Sequence, residues 1–306
     1  MKAIVIDRFG DYNNLSYRDY PEPVPNDNQI LVETKYIGVN FADLHQTENS
    51  YLVKSLPPLV PGAEVTFERF NKRFVGLTSN GSYSEKALVN KNYFYEIPDG
   101  VSDQEALACI SQGTTAYIMV NEYCNVTAKD VVLINGASSG VGIFLIQLCK
   151  QKGAKVIAIT SNIKKAELVK SIGADLIFLS IDDIPKEHRP TVVFDSYGGK
   201  YFSKSLRVLK NKGSMCFYGA SSRESFPHID LVEILKESKK IIGFWINNHI
   251  SDKDYIEGIL YELFKMILEK NIKVVVGLEL SLKQAKDVHM LMSSRNTFGK
   301  LILKND

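Results

Sequence analysis

The stretch INGASSGVGIFLIQL, residues 134–148, decides how the chain reads. It joins an apolar, strand-like run, VVLIN (131–135), to a cluster of small residues holding Gly136, Gly140 and Gly142. The cluster opens a helical segment that runs to Gly153, a residue suited to a left-handed helix end. Strand, glycine-rich turn and helix together aim backbone N–H groups and a helix dipole at an anion. The match to G-x-G-x-x-G is imperfect, and a plain strand-to-helix turn gives the same local pattern. The context separates the two readings. The turn follows a strong strand, opens a strong helix and lies in the first βαβ unit, where a dinucleotide pyrophosphate sits.

Downstream the pattern continues. KVIAIT, LIFLS, PTVVFDS, GSMCFYGA and KIIGFWI read as strands, with KKAELVKSIG, KYFSKSLRVL and DLVEILKES as helices between or beside them. Strands separated by helices imply right-handed crossovers and a parallel sheet. Six strands fall between Val131 and Ile246, the number of a full dinucleotide-binding sheet. Upstream, the first third is β-rich with Pro/Asn loops such as YPEPVPNDN. After Asn248 come a long amphipathic helix, the strand VVVGLEL, a helix with a possible capping box at Ser281 and Gln284, and the strand GKLILKN. This tail is read as returning to the first domain. The expected division is therefore 1–111 with 250–306, a discontinuous β domain, and 112–249, the Rossmann domain.

Composition narrows the class. The chain has 306 residues, 45% of them hydrophobic and 24% charged, with a net charge of +2 spread along it. No basic tract points to nucleic acid. No apolar run approaches a membrane span, and the N-terminus does not read as a signal peptide. Cys109, Cys124, Cys149 and Cys216 form no C-x-x-C pair, which fits neither a disulfide framework nor a zinc cluster and suits a reducing cytoplasm.

The end of the second Rossmann strand discriminates the cofactor. An NAD site usually places Asp or Glu there for the ribose hydroxyls. Here VIAIT runs into Thr160, Ser161 and Asn162, then Lys164 and Lys165, with no carboxylate before Glu167. Hydroxyls, an amide and lysines suit a 2′-phosphate, so the reading is NADPH.

Taken together, GVNFADLHQTENSY (38–51), LPPLVPGAE (56–64), QGTTAY (112–117), NGASSGVG (135–142), KKAELVKSIGAD (164–175), FDSYGG (194–199), GSMCFYGAS (213–221), GFW (243–245) and SSRNTFGKLIL (293–303) carry a resemblance. The chain resembles the zinc-independent quinone oxidoreductase branch of the medium-chain dehydrogenase/reductases (zeta-crystallin and vesicle amine transport protein 1-like proteins) over nearly its whole length. The resemblance implies an α/β fold: a doubly wound Rossmann domain plus a GroES-like β-barrel-type catalytic domain, with the active site in the cleft between them. It also implies a homodimer, often joined through the edge strand of the cofactor sheet, here KIIGFWI. The implied reaction is hydride transfer from NADPH to a quinone or enone.

Residue by residue, the resemblance places the three fingerprint positions at Ala137, Ser139 and Gly142, with Ser138, Gly140 and Val141 completing the pyrophosphate turn. Asn40 and Asp43 match the N-x-x-D of the substrate cleft, and Tyr51 matches a tyrosine lining it. Thr115 contacts the cofactor near its nicotinamide half. Tyr218, Gly219 and Ala220 form the loop passing the nicotinamide, with Phe244 and Trp245 as its wall. Ser161, Lys165 and Arg295 serve the 2′-phosphate, and Ser180 stands where some members place a tyrosine beside the adenosine. His45 and His289 are read as structural.

Zinc-dependent relatives carry a Cys and a Gly-His-Glu where this chain has VNFAD and PGAE, so no metal is expected. One departure is substantial: from Val65 to Phe74 the chain runs through TFERFNKR and several barrel residues are missing. Two rival functions stand beside the reductase. One is an enoyl-thioester reductase; the other is a nucleotide-binding protein with little turnover, motivated by the trimmed barrel.

Overall fold

The computed structural model describes residues 1–50 and 52–305. The chain divides into two compact units, one of residues 1–111 with 249–306 and one of residues 112–248.

The first unit begins with β1 (Lys2–Ile6), β2 (Leu15–Asp19), β3 (Gln29–Glu33) and β4 (Tyr36–Val39). Helix α1 (Phe41–Thr47) follows, then β5 (Glu64–Arg69), β6 (Lys72–Leu77), β7 (Lys86–Asn90), β8 (Phe94–Glu96) and helix α2 (Asp103–Ala108). Ser102 caps α2 in a full capping box with Glu105. The missing barrel residues are accounted for locally. β5 and β6 join through Phe70 and Asn71 alone, with Arg69 opposite Lys72 and the register unbroken. Both turn residues have positive φ, 53° and 59°, the signature of a type I′ hairpin. Phe70 is an unusual choice there; its ring is exposed and the Arg69 guanidinium lies 4.7 Å from its centroid.

In the second unit, helix α3 (Thr114–Ile118) is flanked by wider helical turns at Cys109–Gly113 and Met119–Tyr123. The unit then alternates β9 (Val131–Asn135), α4 (Gly140–Gln151), β10 (Lys155–Ile159), α5 (Ile163–Ser171), β11 (Leu176–Phe178), β12 (Val192–Asp195), α6 (Gly199–Val208), β13 (Ser214–Phe217), α7 (Leu231–Glu237) and β14 (Lys240–Gly243). All six strands are parallel, in the order β11-β10-β9-β12-β13-β14. That is the doubly wound dinucleotide-binding order, with its switch point between β9 and β12. β9 buries nearly every residue, as a strand covered on both faces must. Leu133, Ile157, Val193 and Met215 from four strands pack against Phe202 and Leu206 of α6. The last strand is shorter than KIIGFWI suggests: it stops at Gly243, so Phe244 and Trp245 lie beyond it.

The chain then returns to the first unit with α8 (Lys253–Leu268), β15 (Val276–Ser281), α9 (Ala285–Ser293) and β16 (Lys300–Lys304). β15 pairs parallel with β16, which enters the mixed sheet β15-β16-β4-β5-β6-β8. Leu282, Val288, Leu301 and Leu303 of the return segment share one core with Ile37, Leu44, Val65 and Phe67. Residues near both ends of the sequence therefore complete one hydrophobic interior.

Candidate functional site

In the second unit the loops after β9, β10, β12 and β13 converge at the carboxyl edge of the sheet. The backbone of Ala137 donates to Ile159 O at 3.2 Å, tying the turn after β9 to the end of β10. Ser139 is the N-cap of α4: its Oγ accepts the Gly142 N–H at 3.1 Å and its carbonyl accepts the Ile143 N–H at 2.9 Å. The amides of Gly140 and Val141 precede these at the helix start, where first-turn N–H groups point out of the helix. Gly142 is required by close approach. A Cβ there would meet Gly136 O at 2.4 Å and Ala137 O at 2.6 Å. Ser139 thus does two jobs, helix cap and candidate hydroxyl donor, where a middle glycine would do neither.

The switch point is braced from below. Asp195, at the end of β12, is fully buried and accepts the N–H groups of Tyr197 at 2.7 Å and Gly198 at 3.2 Å. Ser205 Oγ donates to it at 3.2 Å and accepts from Asn135 Nδ2 at 2.6 Å. Burial nevertheless pushes the Asp195 carboxyl above its usual range. The loop it holds returns a bond, Ser196 Oγ to Asn135 O at 3.1 Å, and receives Ser221 N on Ser196 O at 3.1 Å. Tyr218 N donates to Asp195 O at 2.9 Å, which places the Tyr218–Ala220 loop beside this brace.

Other predicted cofactor residues fall around that edge. Thr115 and Ser138 are buried, and α3, which carries Thr115, packs on α4. Ser161 is exposed just past β10, and Asn162 caps α5 by accepting the Lys165 N–H at 3.0 Å. Lys165 is buried, unlike Lys164, so it is not simply a solvated helix-start lysine. Ser180 caps the turn Ile181–Asp183 through Asp182 N. Phe244 is buried, its ring edge-on to Tyr123 at 5.2 Å, and Trp245 is half-buried. Arg295 belongs to the first unit, exposed at the end of α9 with φ 59°.

In the first unit the predicted pair Asn40 and Asp43 is brought together, inside a larger polar chain. Asp43 is the third residue of α1 and folds back: its Oδ2 accepts the Asn40 N–H at 2.8 Å. The Asn40 amide points the other way. Its Nδ2 donates to Glu64 Oε1 at 2.6 Å and its Oδ1 accepts from Lys300 Nζ at 3.3 Å. Lys300 also pairs with Glu64 Oε2, both side chains being wholly buried. Gly38 on β4, between Glu64 on β5 and Ile302 on β16, makes the room. A Cβ at position 38 would meet Glu64 Oε2 at 2.1 Å. On the far side, Tyr83 OH lies 3.0 Å from Asp43 Oδ2 and 3.1 Å from His289 Nε2. Tyr83 and His289 are both fully buried.

Charge states follow from these surroundings. Burial, with nearby Glu64 adding to it, raises the Asp43 carboxyl to about 7, although the Asn40 N–H, Tyr83 and Lys300 pull it down. Burial lowers His289 to about 4, so its ring is neutral at physiological pH. Tyr83 is pushed well above its ordinary value by burial and by Asp43. His45 is set apart from the chain, with Nδ1 2.7 Å from Ser50 Oγ. Tyr51 lies outside the described residues. Among the described residues no group of three or more His, Cys, Asp or Glu side chains could hold a metal ion. No helix among them is long and apolar enough to cross a membrane.

The sequence reading missed Glu64, Lys300 and Tyr83 as members of the site and set His289 aside. A signal was present: a lysine opens the apolar strand KLIL, and a carboxylate follows PGA, each where burial was to be expected.

A doubly wound, dinucleotide-type sheet joined to a mixed β unit defines a two-unit oxidoreductase architecture. Comparison with known proteins agrees. Residues 140–264 match the family model described as zinc-binding dehydrogenase. A probable quinone oxidoreductase of Schizosaccharomyces pombe is 27% identical over 305 residues, covering 94% of this chain and 91% of that one. The human synaptic vesicle membrane protein VAT-1 homolog-like is 27% identical, covering 99% and 80%. The Escherichia coli quinone oxidoreductase complexed with NADPH superposes with a TM-score of 0.91 at 25% identity, covering 99% and 100%. In sequence and in fold the chain is similar to the quinone oxidoreductases of the medium-chain dehydrogenase/reductases.

Proposed function

We propose that the chain is an NADPH-dependent, zinc-independent oxidoreductase that reduces a quinone or an α,β-unsaturated carbonyl. The observation that carries the reading is the turn after β9. Gly142 lets the start of α4 pack directly on the Gly136 and Ala137 carbonyls, and Ser139 caps α4 so that the Gly140 and Val141 amides lead the helix. These residues fit a pyrophosphate. Ser161, Asn162 and Lys165, with no carboxylate at the end of β10, fit a 2′-phosphate, and Arg295 is assigned to the same group. The solved relative complexed with NADPH supports that choice.

NADPH supplies the hydride when bound. The protein's part is to orient and to handle a proton. Asn40, its amide fixed by Glu64 and Lys300, and Tyr51 are assigned to the acceptor oxygen, where charge develops. Reduction also takes up a proton, and Asp43, raised by burial to about 7, exchanges one near neutral pH. The donor set in the first unit does not fit zinc. Both Glu64 oxygens are engaged by Asn40 and the Lys300 ammonium, which repels a cation. Two copies of the chain paired along the edge strand β14, beside the exposed Leu231 and Leu235 of α7, make the proposed homodimer.

The test is NADPH consumption with a quinone, an enone and a crotonyl thioester in parallel. Turnover with the thioester alone replaces this reading with an enoyl-thioester reductase. Sedimentation of the purified protein checks the dimer, a monomer contradicting it.

A further inference from the structure

Asp43, Tyr83 and His289 form an unbroken line of hydrogen-bonding atoms through the core of the first unit. Asp43 Oδ2 and Tyr83 OH are 3.0 Å apart, Tyr83 OH and His289 Nε2 3.1 Å. The aromatic rings meet edge to face at 5.7 Å. All three residues are at most 3% exposed. The line ends at His289 Nδ1, a buried atom with no hydrogen-bond partner among the described residues. An orphaned polar atom in a native core calls for an explanation.

Hydrogen-bond direction supplies one. A tyrosine hydroxyl has one hydrogen. When Asp43 is ionised, Tyr83 donates to the carboxylate, so His289 must carry its proton on Nε2 and donate to Tyr83. Nδ1 is then a bare lone pair. When Asp43 is protonated and donates to Tyr83 oxygen, the Tyr83 hydrogen turns to Nε2, which must be bare. His289 then carries its proton on Nδ1. The ring is neutral above about 4, so these are the two arrangements open to the line when Asp43 Oδ2 itself loses or carries the proton; a proton held on Oδ1 instead would leave His289 in its first tautomer.

We propose that Asp43, Tyr83 and His289 form a proton relay in which His289 switches tautomer as Asp43 gains or loses its proton. In balance, one proton joins His289 Nδ1, the Nε2 hydrogen passes to Tyr83 oxygen, and the Tyr83 hydrogen passes to Asp43. Three O–H or N–H bonds form and two break, with net uptake of one proton and no change in electron count. Tyr83 and His289 act through Asp43; they position and replenish its proton and touch no substrate. The charged groups around Asp43 are Glu64 from β5 and Lys300 from β16, and they set where the relay titrates. The relay's use in catalysis rests on the proposed reductase reading, whose product takes up one proton per hydride.

The test reads the relay without turnover. Protein labelled with ¹³C at aspartate carboxyls and ¹⁵N at histidine rings is titrated by NMR from about pH 5 to about pH 9. The expected result is one midpoint shared by the Asp43 carboxyl and the His289 ring nitrogens. His289 goes from Nδ1–H below it to Nε2–H above it, with no imidazolium signal. In Tyr83→Phe the Asp43 midpoint rises, its protonation constant increasing about tenfold, and His289 no longer follows it. A His289 ring that keeps one tautomer while Asp43 titrates in the wild-type protein overturns the relay, whether or not Tyr83→Phe folds. So does an Asp43 midpoint near its ordinary value. A coupled titration in a protein that never oxidises NADPH keeps the relay and removes the reductase reading.

Discussion

Lys300 and Glu64 form an ion pair with no solvent exposure, and both hold the side-chain amide of Asn40. They come from the last strand and from β5, 236 positions apart. Breaking such a pair strands a charge in the core. Lys300→Met is expected to lose about 3–5 kcal/mol of stability. The double variant Lys300→Met, Glu64→Gln should recover much of that loss, because no uncompensated charge remains. Urea unfolding of the two single variants and the double variant measures the coupling. Simple additivity would mean the pair does not act as a unit.

Asp43 and His289 make opposite contributions to stability against pH. Asp43 rises from its ordinary 3.8 to about 7 on folding, so the folded state binds more protons than the unfolded between those values. Its share of stability falls as pH rises through that window. His289 drops from 6.5 to about 4, so the unfolded state binds more protons there, and its share rises with pH. The two slopes cancel between about 4 and about 6.5, leaving these residues nearly silent in the wild-type protein. Asp43→Asn should uncover a stability that rises with pH, by up to about 1.4 kcal/mol per unit. His289→Gln should uncover the reverse. Urea midpoints at three pH values across the window check both signs.

The hairpin turn of the shortened barrel carries Phe70 in a left-handed conformation. An aromatic residue there lacks the local hydrogen bonding that lets Asn tolerate it. Replacing Phe70-Asn71 with Asn-Gly, the favoured type I′ pair, should stabilise the protein by about 1 kcal/mol. Thermal unfolding reads the gain; a loss would show that the Arg69–Phe70 contact matters more than backbone strain.

How much of this was legible in the sequence depended on the distance over which each feature is encoded. The cofactor sheet was readable because each strand and each helix end carries a local signal: VVLIN is buried from Val132 to Asn135, Ser139 caps α4 and Gly153 follows its end. Motif spacing singled out Asn40 and Asp43, three residues apart, and one turn of helix joins them. Glu64, Tyr83, His289 and Lys300 were not found as a group. They lie on β5, the loop before β7, α9 and β16: the pairing of β4 with β5 and β16 gathers Glu64 and Lys300, a bond from Ile4 of β1 ties in Tyr83, and α9 packing on α1 brings His289. Phe244 and Trp245 read as strand because they are apolar and aromatic, yet the strand ends at Gly243. Period alone does not mark where pairing stops.

Lys165 separates the two nicotinamide cofactors. A charge-assisted contact to the 2′-phosphate is worth about 1.5–3 kcal/mol. Lys165→Ala should therefore weaken NADPH by about tenfold to a hundredfold and leave NADH nearly unchanged. Fluorescence titration of both cofactors on both proteins measures it. Equal loss for NADPH and NADH would show that this buried lysine supports the helix rather than the phosphate.

The central claim is that the chain turns over NADPH rather than merely holding it. The direct measurement is the rate of NADPH oxidation by the purified protein across a panel of quinones and enones, alongside its affinity for NADPH. The account predicts saturable oxidation with at least one acceptor class. Tight NADPH binding with no oxidation above the protein-free rate for any acceptor would contradict it.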